Sequence, residues 1–397
     1  MAYTVLARRY RSRSFAEVVG QEPIAQTLQN AIKQNRVAHA YLFCGTRGVG
    51  KTSTARIFAK ALNALDANGK EIPEVAEAIM AGRDLDVIEI DAASNTGVDN
   101  ARELIANCAY RPMRGQRKVY IIDEVHMLST AAFNALLKTM EEPPEHVVFI
   151  LCTTETHKVP ATIQSRCQRF DFRNISTKQI GGHLAQVIKD EGAAADEELV
   201  HLVARLGNGS MRDALSLLDR LLASGEKKLT VAMLERLLGL PDRDLITQLV
   251  DALADGEPGP ALERSDALLS KGVGLDPLIT ALAERFRDLM VLRACGPKTE
   301  LVDLTDESRT AAAAQAERFD PAGLVHMIAL CEGVGRSAKS SSFPRAVFDA
   351  LIVRLAQTEK LADVTALVAG LRGGATAVAA PKPTVPARVA ESPAKKR

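Results

Sequence analysis

The chain has 397 residues, 47% of them hydrophobic, and a formal net charge of +1. That length supports two or three domains with proper cores, three being the better guess, and the balanced charge excludes bulk electrostatics as a basis for nucleic-acid binding. No apolar run reaches the roughly 18 residues of a membrane span, the basic start MAYTVLARRYRSRSF carries no apolar signal segment, and six scattered cysteines offer no CxxC pair, so a cytoplasmic protein without disulfides, cysteine zinc site or membrane anchor is expected.

Near the amino terminus Arg8, Arg9, Arg11 and Arg13 form a basic cluster, readable either as a solvated face or as a local nucleic-acid-binding patch. From Ala40 to Phe172 short β-branched runs (AYLFCG, LDVIEID, KVYIID, HVVFILCTT, RFDF) alternate with helix-length segments. This alternation predicts an α/β domain with a parallel sheet covered on both faces. After Phe172 strand signals vanish. Residues 176–240 read as a small all-helical domain, residues 241–372 as a Leu- and Ala-rich helical region, and residues 373–397 as a basic, Pro- and Ala-rich tail too poor in core residues to fold.

The string GTRGVGKTS, Gly45 to Ser53, follows a predicted strand and opens a helix, the context a phosphate-binding loop requires. Its glycines allow tight backbone angles that aim N–H groups at a phosphate, Lys51 reaches the β/γ oxygens, and the Thr52 hydroxyl suits Mg2+. In KVYIIDEVHML a buried run ends in Asp123 and Glu124 at the carboxyl edge of the sheet, where Asp123 would hold Mg2+ through water and Glu124 would deprotonate the attacking water. The strand HVVFILCTT ends in Thr153-Thr154, either of which places a hydroxyl where the γ-phosphate can be sensed; a plain β-branched strand end is the other reading. In GNGSMRDALSLLDR, Ser210 is an N-cap and Arg212 lies in the first helical turn, where the helix dipole disfavours a cation unless an anion is its partner. Arg212 is otherwise an ordinary surface arginine.

With these elements in this order, and with HAYLFCGTRGVGKTS, DVIEIDAASNTGVDNARELI, KVYIIDEVHMLSTAAFNALLKTMEEPPEHVVFIL and SRCQRFDF all present, the chain resembles the gamma/tau family of bacterial DNA polymerase III clamp-loader ATPases. The match is dense from Tyr3 to about Leu240, weaker through the helical third region and absent in the tail. The resemblance implies an AAA+ nucleotide domain (1–175), a helical lid (176–240) and a helical collar (241–372) through which subunits assemble with delta, delta-prime and other gamma/tau copies. It implies ATP and Mg2+ as ligands, with the sliding clamp, primer-template DNA and, through any longer tau form, the polymerase core as partners. Carried over by position, Gly45, Gly48, Gly50, Lys51, Thr52 and Ser53 match the phosphate loop, Asp123 and Glu124 the acid pair, Thr154 or Thr153 the first sensor and Arg212 the second. Arg11 and the segment from Val18 and Val19 to Gln21 match the part around the adenine. Arg166 in SRC matches an arginine finger that reaches a neighbouring subunit's γ-phosphate, its planar fork suiting phosphate oxygens. The purely structural alternative is an ion pair with an acid such as Asp171.

Two departures are visible. Where the family carries a cysteine zinc module, this chain reads NALDANGKEIPEVAEAIMAGRDL without Cys or His, so no structural zinc and a short helix at PEVAEAIMAG are expected. In YRSRSF, Ser12 stands where the family usually has proline. A branch-migration motor shares the phosphate loop and finger but is disfavoured by the helical third region. A non-hydrolysing scaffold subunit is disfavoured by intact Lys51, Thr52 and Glu124. An ending at Arg397 after a Pro- and Lys-rich segment suggests a short or truncated form of a longer protein.

Overall fold

The computed structural model describes residues 3–65 and 70–373, which divide between Leu238 and Gly239 into two compact units. The basic tail and part of the segment replacing the zinc module (66–69) lie outside the described residues. In the first unit five strands, β1 (Ala40–Cys44), β2 (Val87–Asp91), β3 (Lys118–Asp123), β4 (Val147–Thr153) and β5 (Gln168–Asp171), form one all-parallel sheet in the order β2-β3-β4-β1-β5. The central strands β1, β3 and β4 read as nearly continuous apolar runs because both faces are covered, whereas β5 at the sheet edge, QRFD, is mostly exposed. Alternate residues serve opposite faces. Leu42, Tyr120, Ile122, Phe149 and Leu151 pack against helices Val98–Cys108 and Thr130–Glu141, through Leu104, Phe133 and Leu136. On the other face Tyr41, Phe43, Ile121 and Ile150 pack with Leu28, Phe58 and Ile79, from helices Glu22–Lys33, Lys51–Asn63 and Pro73–Met80. The last of these is the helix that stands in the zinc-module segment.

Register sets the chemistry at the sheet edge. Asp91 is level with Asp123, and Cys44 is level with both Thr153 and Asp171, so the loops leaving these strands emerge side by side. The amide of Gly45 donates to the Thr153 carbonyl at 3.2 Å, and that of Phe172 to Cys44 at 2.7 Å, extending the pairing to the first loop residues.

Helices Thr177–Asp190, Glu197–Leu206, Met211–Leu222 and Val231–Leu238 form the rest of this unit around Leu184, Leu202, Leu215 and Leu218. Ser176 starts the first of them with a complete capping box to Gln179. Two-residue strands, Ala194–Ala195 and Lys228–Leu229, also pair here in parallel, contrary to the all-helical expectation; strands this short leave no periodicity to detect. The amino-terminal turn Leu6–Arg9 buries Leu6 in the same core, and Arg9 and Tyr10 both bond Glu191.

The second unit is helical, with helices Arg243–Ala254, Pro258–Ser270, Leu275–Cys295, Asp306–Ala316, Pro321–Ser340 and Pro344–Gly373. Its core is built on Leu249, Leu282, Phe286, Phe319, Met327 and Phe348. Among the described residues no helix is long and apolar enough to cross a membrane.

Candidate functional site

The loop between β1 and helix Lys51–Asn63 crosses the carboxyl edge of the sheet and closes against the lid. Gly48 has φ +78°, and a Cβ there would overlap the Ser210 hydroxyl and approach Arg212 Cβ to 3.2 Å, so only glycine lets the two elements meet. At Gly45 a Cβ would come within 2.6 Å of the Phe172 carbonyl, which fixes glycine where the loop leaves β1 beside the end of β5. Between loop, sheet edge, lid and amino-terminal segment lies a cleft of about 700 Å3. Its wall includes Arg11, Val18, Val19, Gly48, Gly50, Lys51, Thr52, Ser53, Asp123, Glu124 and Arg212. Gly45, Thr154 and Arg166 are not on that wall.

Lys51 is almost wholly buried and donates to the carbonyls of Gly45 and Thr46, both at 2.7 Å. Burial pulls its ammonium below the usual lysine range, against the opposing influence of Cys152, Glu124 and Asp123. The Thr52 hydroxyl donates to Asp123 Oδ2 at 2.7 Å, so the two oxygen groups proposed for a divalent cation already face each other. Glu124 follows with φ +46°, a left-handed conformation that turns the chain sharply out of β3 into the short turn Val125–Met127. Its Oε2 accepts from the Thr154 hydroxyl at 3.0 Å. Of the two threonines left open, Thr154 thus bonds the carboxylate, while Thr153 is fully buried and bonds His126 at 3.1 Å.

Cations outnumber carboxylates on the cleft wall. Arg56 is paired, donating to both oxygens of Glu89 at 2.6 and 2.8 Å and to the Met80 carbonyl. Arg11 is held below the ordinary arginine range by burial and by Arg56, yet a guanidinium stays charged. Arg212 follows Ser210, whose side chain caps the helix by accepting from the Asp213 amide at 3.2 Å. The basic amino-terminal cluster is split in use. Arg8 and Arg11 line the cleft and Arg9 pairs with Glu191.

Arg166 stands elsewhere. It follows the turn Ala161–Gln164, keeps a third of its side chain exposed, bonds the Thr162 carbonyl at 2.6 Å and pairs with Glu141. The expected structural partner Asp171 is taken instead by Arg169, at 2.7 Å on the same strand. Sequence reasoning passed over His126, which lies between Glu124 and Glu155, and Arg47 and Arg220 on the cleft wall, and read Arg8, also on that wall, only as part of the basic cluster. His126 had a signal, its place two residues after the acid pair. No group of three or more His, Cys, Asp or Glu poised for metal is found among the described residues.

Three family models match in succession: "DNA polymerase III, delta subunit" over residues 20–176, "DNA polymerase III clamp loader subunit, ATPase lid domain" over 179–227, and "DNA polymerase III subunits gamma and tau domain III" over 229–371. The chain is 41% identical over 361 residues to DNA polymerase III subunit tau of Bacillus subtilis, covering 90% of this chain and 64% of that one. It is 44% identical to the tau subunit of Escherichia coli, over 71% of this chain and 44% of that one. It is 42% identical to the gamma subunit of Buchnera aphidicola, over 61% of this chain and 68% of that one. The chain therefore spans only part of the length of the tau relatives it matches. The chain belongs to the gamma/tau family of DNA polymerase III subunits.

Proposed function

We propose that this chain is an ATP-hydrolysing subunit of a clamp loader, in which ATP binding opens a sliding clamp for placement on primer-template DNA and hydrolysis releases it. The observation that carries the reading is the convergence in one cleft of a buried phosphate-loop lysine, the Thr52–Asp123 pair at 2.7 Å and Glu124, whose carboxylate is bonded from outside the cleft wall by the Thr154 hydroxyl at 3.0 Å. Residues 1–175 serve as the nucleotide domain, 176–240 as the lid and 241–372 as the collar. The partners are delta and delta-prime subunits, further gamma/tau copies, the clamp and, through any longer form, the polymerase core.

ATP would exchange the loop carbonyls at Lys51 Nζ for its β/γ oxygens, a charge-assisted replacement for neutral acceptors. The Thr52 hydroxyl and Asp123 carboxylate are hard oxygen donors of the kind Mg2+ takes, and they fit it. Bound with the nucleotide, Mg2+ neutralises charge on the transferring phosphoryl group. Glu124 orients the attacking water and takes its proton, while Thr154 keeps that carboxylate from swinging away. Arg11 and Arg212 supply positive charge from the amino-terminal and lid sides. Arg166, absent from its own cleft wall and held by Glu141, serves as the finger for a neighbouring subunit's nucleotide.

Glu124→Gln tests this reading. Binding of ATP should persist, and single-turnover hydrolysis should fall by about 100-fold or more, because an amide cannot take a proton from water. Normal hydrolysis in that variant would contradict the assignment.

A further inference from the structure

The cleft wall has two ends. Gly48, Lys51, Thr52 and Asp123 form one, and the lid meets it at Arg212, beside Gly48. The other end is apolar. There Tyr10 and Val19 pack against the lid core of Leu6, Ile175, Ile180, Leu184 and Leu215, and Tyr10, Val19, Ile175 and Leu215 all face the cleft. Helix Met211–Leu222 spans both ends: Arg212, Leu215 and Asp219 are all on the wall at helical spacing, and the run from Arg212 to Asp219 covers about 10 Å. His183 stands on the apolar side, on helix Thr177–Asp190 between the buried Ile180 and Leu184, half-buried and on the cleft wall. Its ring makes no hydrogen bond among the described residues. Burial pulls the imidazole below the usual histidine value, with Asp190 acting against it, so near neutral pH the ring is uncharged and carries one donor and one acceptor nitrogen. The polar groups around it are engaged. The Tyr10 hydroxyl donates to Glu191 at 2.6 Å, the Ser12 hydroxyl donates to the Glu17 carbonyl at 3.0 Å, and the Tyr3 hydroxyl bonds Asp219. Arg8 and Arg11 offer donors only.

A purine needs apolar surface for its faces and a few polar partners for its edge, where the adenine 6-amino group donates and ring nitrogens accept. We propose that His183 binds the polar edge of the nucleotide's base, so that the lid grips ATP at two points, the base through His183 and the phosphates through Arg212. The imidazole breaks no existing bond to make this contact, whereas Tyr10 and Asp219 would each have to give one up. It also brings an acceptor to an end of the cleft where the guanidiniums of Arg8 and Arg11 can only donate. Leu184 and Leu215 belong to one apolar core, so the helix that carries His183 and the helix that carries Arg212 are packed together as parts of a single lid.

This proposal rests on the reading of the cleft as an ATP site, and the experiment separates the two. Equilibrium affinities for ATP and ADP are measured on the full chain for wild type, His183→Leu, His183→Ala, His183→Gln and Lys51→Ala, with thermal melting of each. The same titrations use purine riboside triphosphate, 1-deaza-ATP and 7-deaza-ATP, which lack the 6-amino group, N1 and N7 in turn. His183→Leu and His183→Ala should weaken ATP and ADP alike by roughly 3- to 10-fold, the worth of one neutral hydrogen bond, while His183→Gln, which keeps a donor and an acceptor, should stay within about twofold of wild type. At least one analogue should bind wild type more weakly than ATP by a similar factor, yet bind His183→Leu and His183→Ala as well as ATP does, because the atom it lacks has already lost its partner. Unchanged ATP affinity in either apolar variant, or the same analogue penalties in wild type and both apolar variants, would overturn the proposal and leave the ATP site standing, provided Lys51→Ala abolishes binding. A loss confined to ATP and absent for ADP would place His183 at the γ-phosphate, and an equal loss in all three His183 variants would reduce it to packing; either result overturns the proposal. Wild-type affinity in Lys51→Ala would remove the cleft reading and this proposal with it.

Discussion

In the second unit Arg287, Arg309, Arg318 and Arg345 are matched by carboxylates, while Arg264 and Arg285 bond glutamines. Arg318 reaches Asp251 at 2.7 Å and Asp255 at 2.6 Å, and Arg345 spans Asp349 and Asp266 at 2.9 and 3.0 Å. Around the cleft of the first unit, Arg11 and Arg212 form no such pair among the described residues, and Lys51 spends its donors on neutral carbonyls. Exposed ion pairs contribute little, about 0–1 kcal/mol each, so the second unit is held chiefly by its apolar core and uses charge to keep its surface balanced. A cation left without a carboxylate beside a glycine loop is a different use of the same residue type: its partner is to be supplied by the ligand.

That contrast can be broken by substitution. Lys51→Ala removes two charge-assisted contacts worth about 1.5–3 kcal/mol each, and nucleotide affinity should fall by about 100-fold or more with little change in melting temperature; affinity near wild type in a nucleotide titration would contradict the assignment. Phe286→Ala, in the core of the second unit, should do the reverse, costing about 3–5 kcal/mol in denaturant unfolding while leaving nucleotide affinity unchanged. Arg212→Ala should weaken nucleotide binding by about 1.5–3 kcal/mol without destabilising the lid, because its guanidinium supports no other residue.

The smallest effect concerns a carboxylate that serves the fold inside the first unit. Asp86 is buried and accepts the amides of Met113, Arg114 and Gly115 at 2.7–2.8 Å. Burial would raise its carboxyl, but those amides and Lys118 prevail and hold it below the usual range. Its contribution is therefore present above the unfolded carboxylate range and lost as pH falls through the lowered folded value. Asp86→Asn should cost about 1–3 kcal/mol near neutral pH, and the difference from wild type should shrink on acidification. An unchanged difference down to strongly acidic pH would refute the role.

The sheet was legible in the sequence because strands buried on both faces read as apolar runs, and the phosphate loop because its residues are contiguous. What escaped depends on partners distant along the chain. Arg166 and Asp171 are five residues apart, yet alternation along β5 gives Asp171 to Arg169, while the turn before Arg166 sends it to Glu141 at the end of helix Thr130–Glu141. Thr153 and Thr154 are indistinguishable as letters; only the register at the strand end buries one and bonds the other to Glu124. His126 acquires meaning from Glu155, on another strand end, and the four amino-terminal arginines had no pattern to say which would face the cleft.

The central claim is that a cleft complete in its own loop, acid pair and sensor is finished by Arg166 of a neighbouring chain. Mixing Arg166→Ala chains with Lys51→Ala chains at varying ratio, and following DNA-stimulated ATPase of the assembled complex, tests it directly. Each variant alone should lack turnover at gamma/tau sites, the first because fingers contribute on the order of 10^3-fold or more and the second because its cleft cannot hold ATP. Mixed assemblies should regain activity wherever an intact cleft faces an intact finger, above any background from delta-prime. If no ratio restores turnover above that background, Arg166 acts within its own chain or not at all.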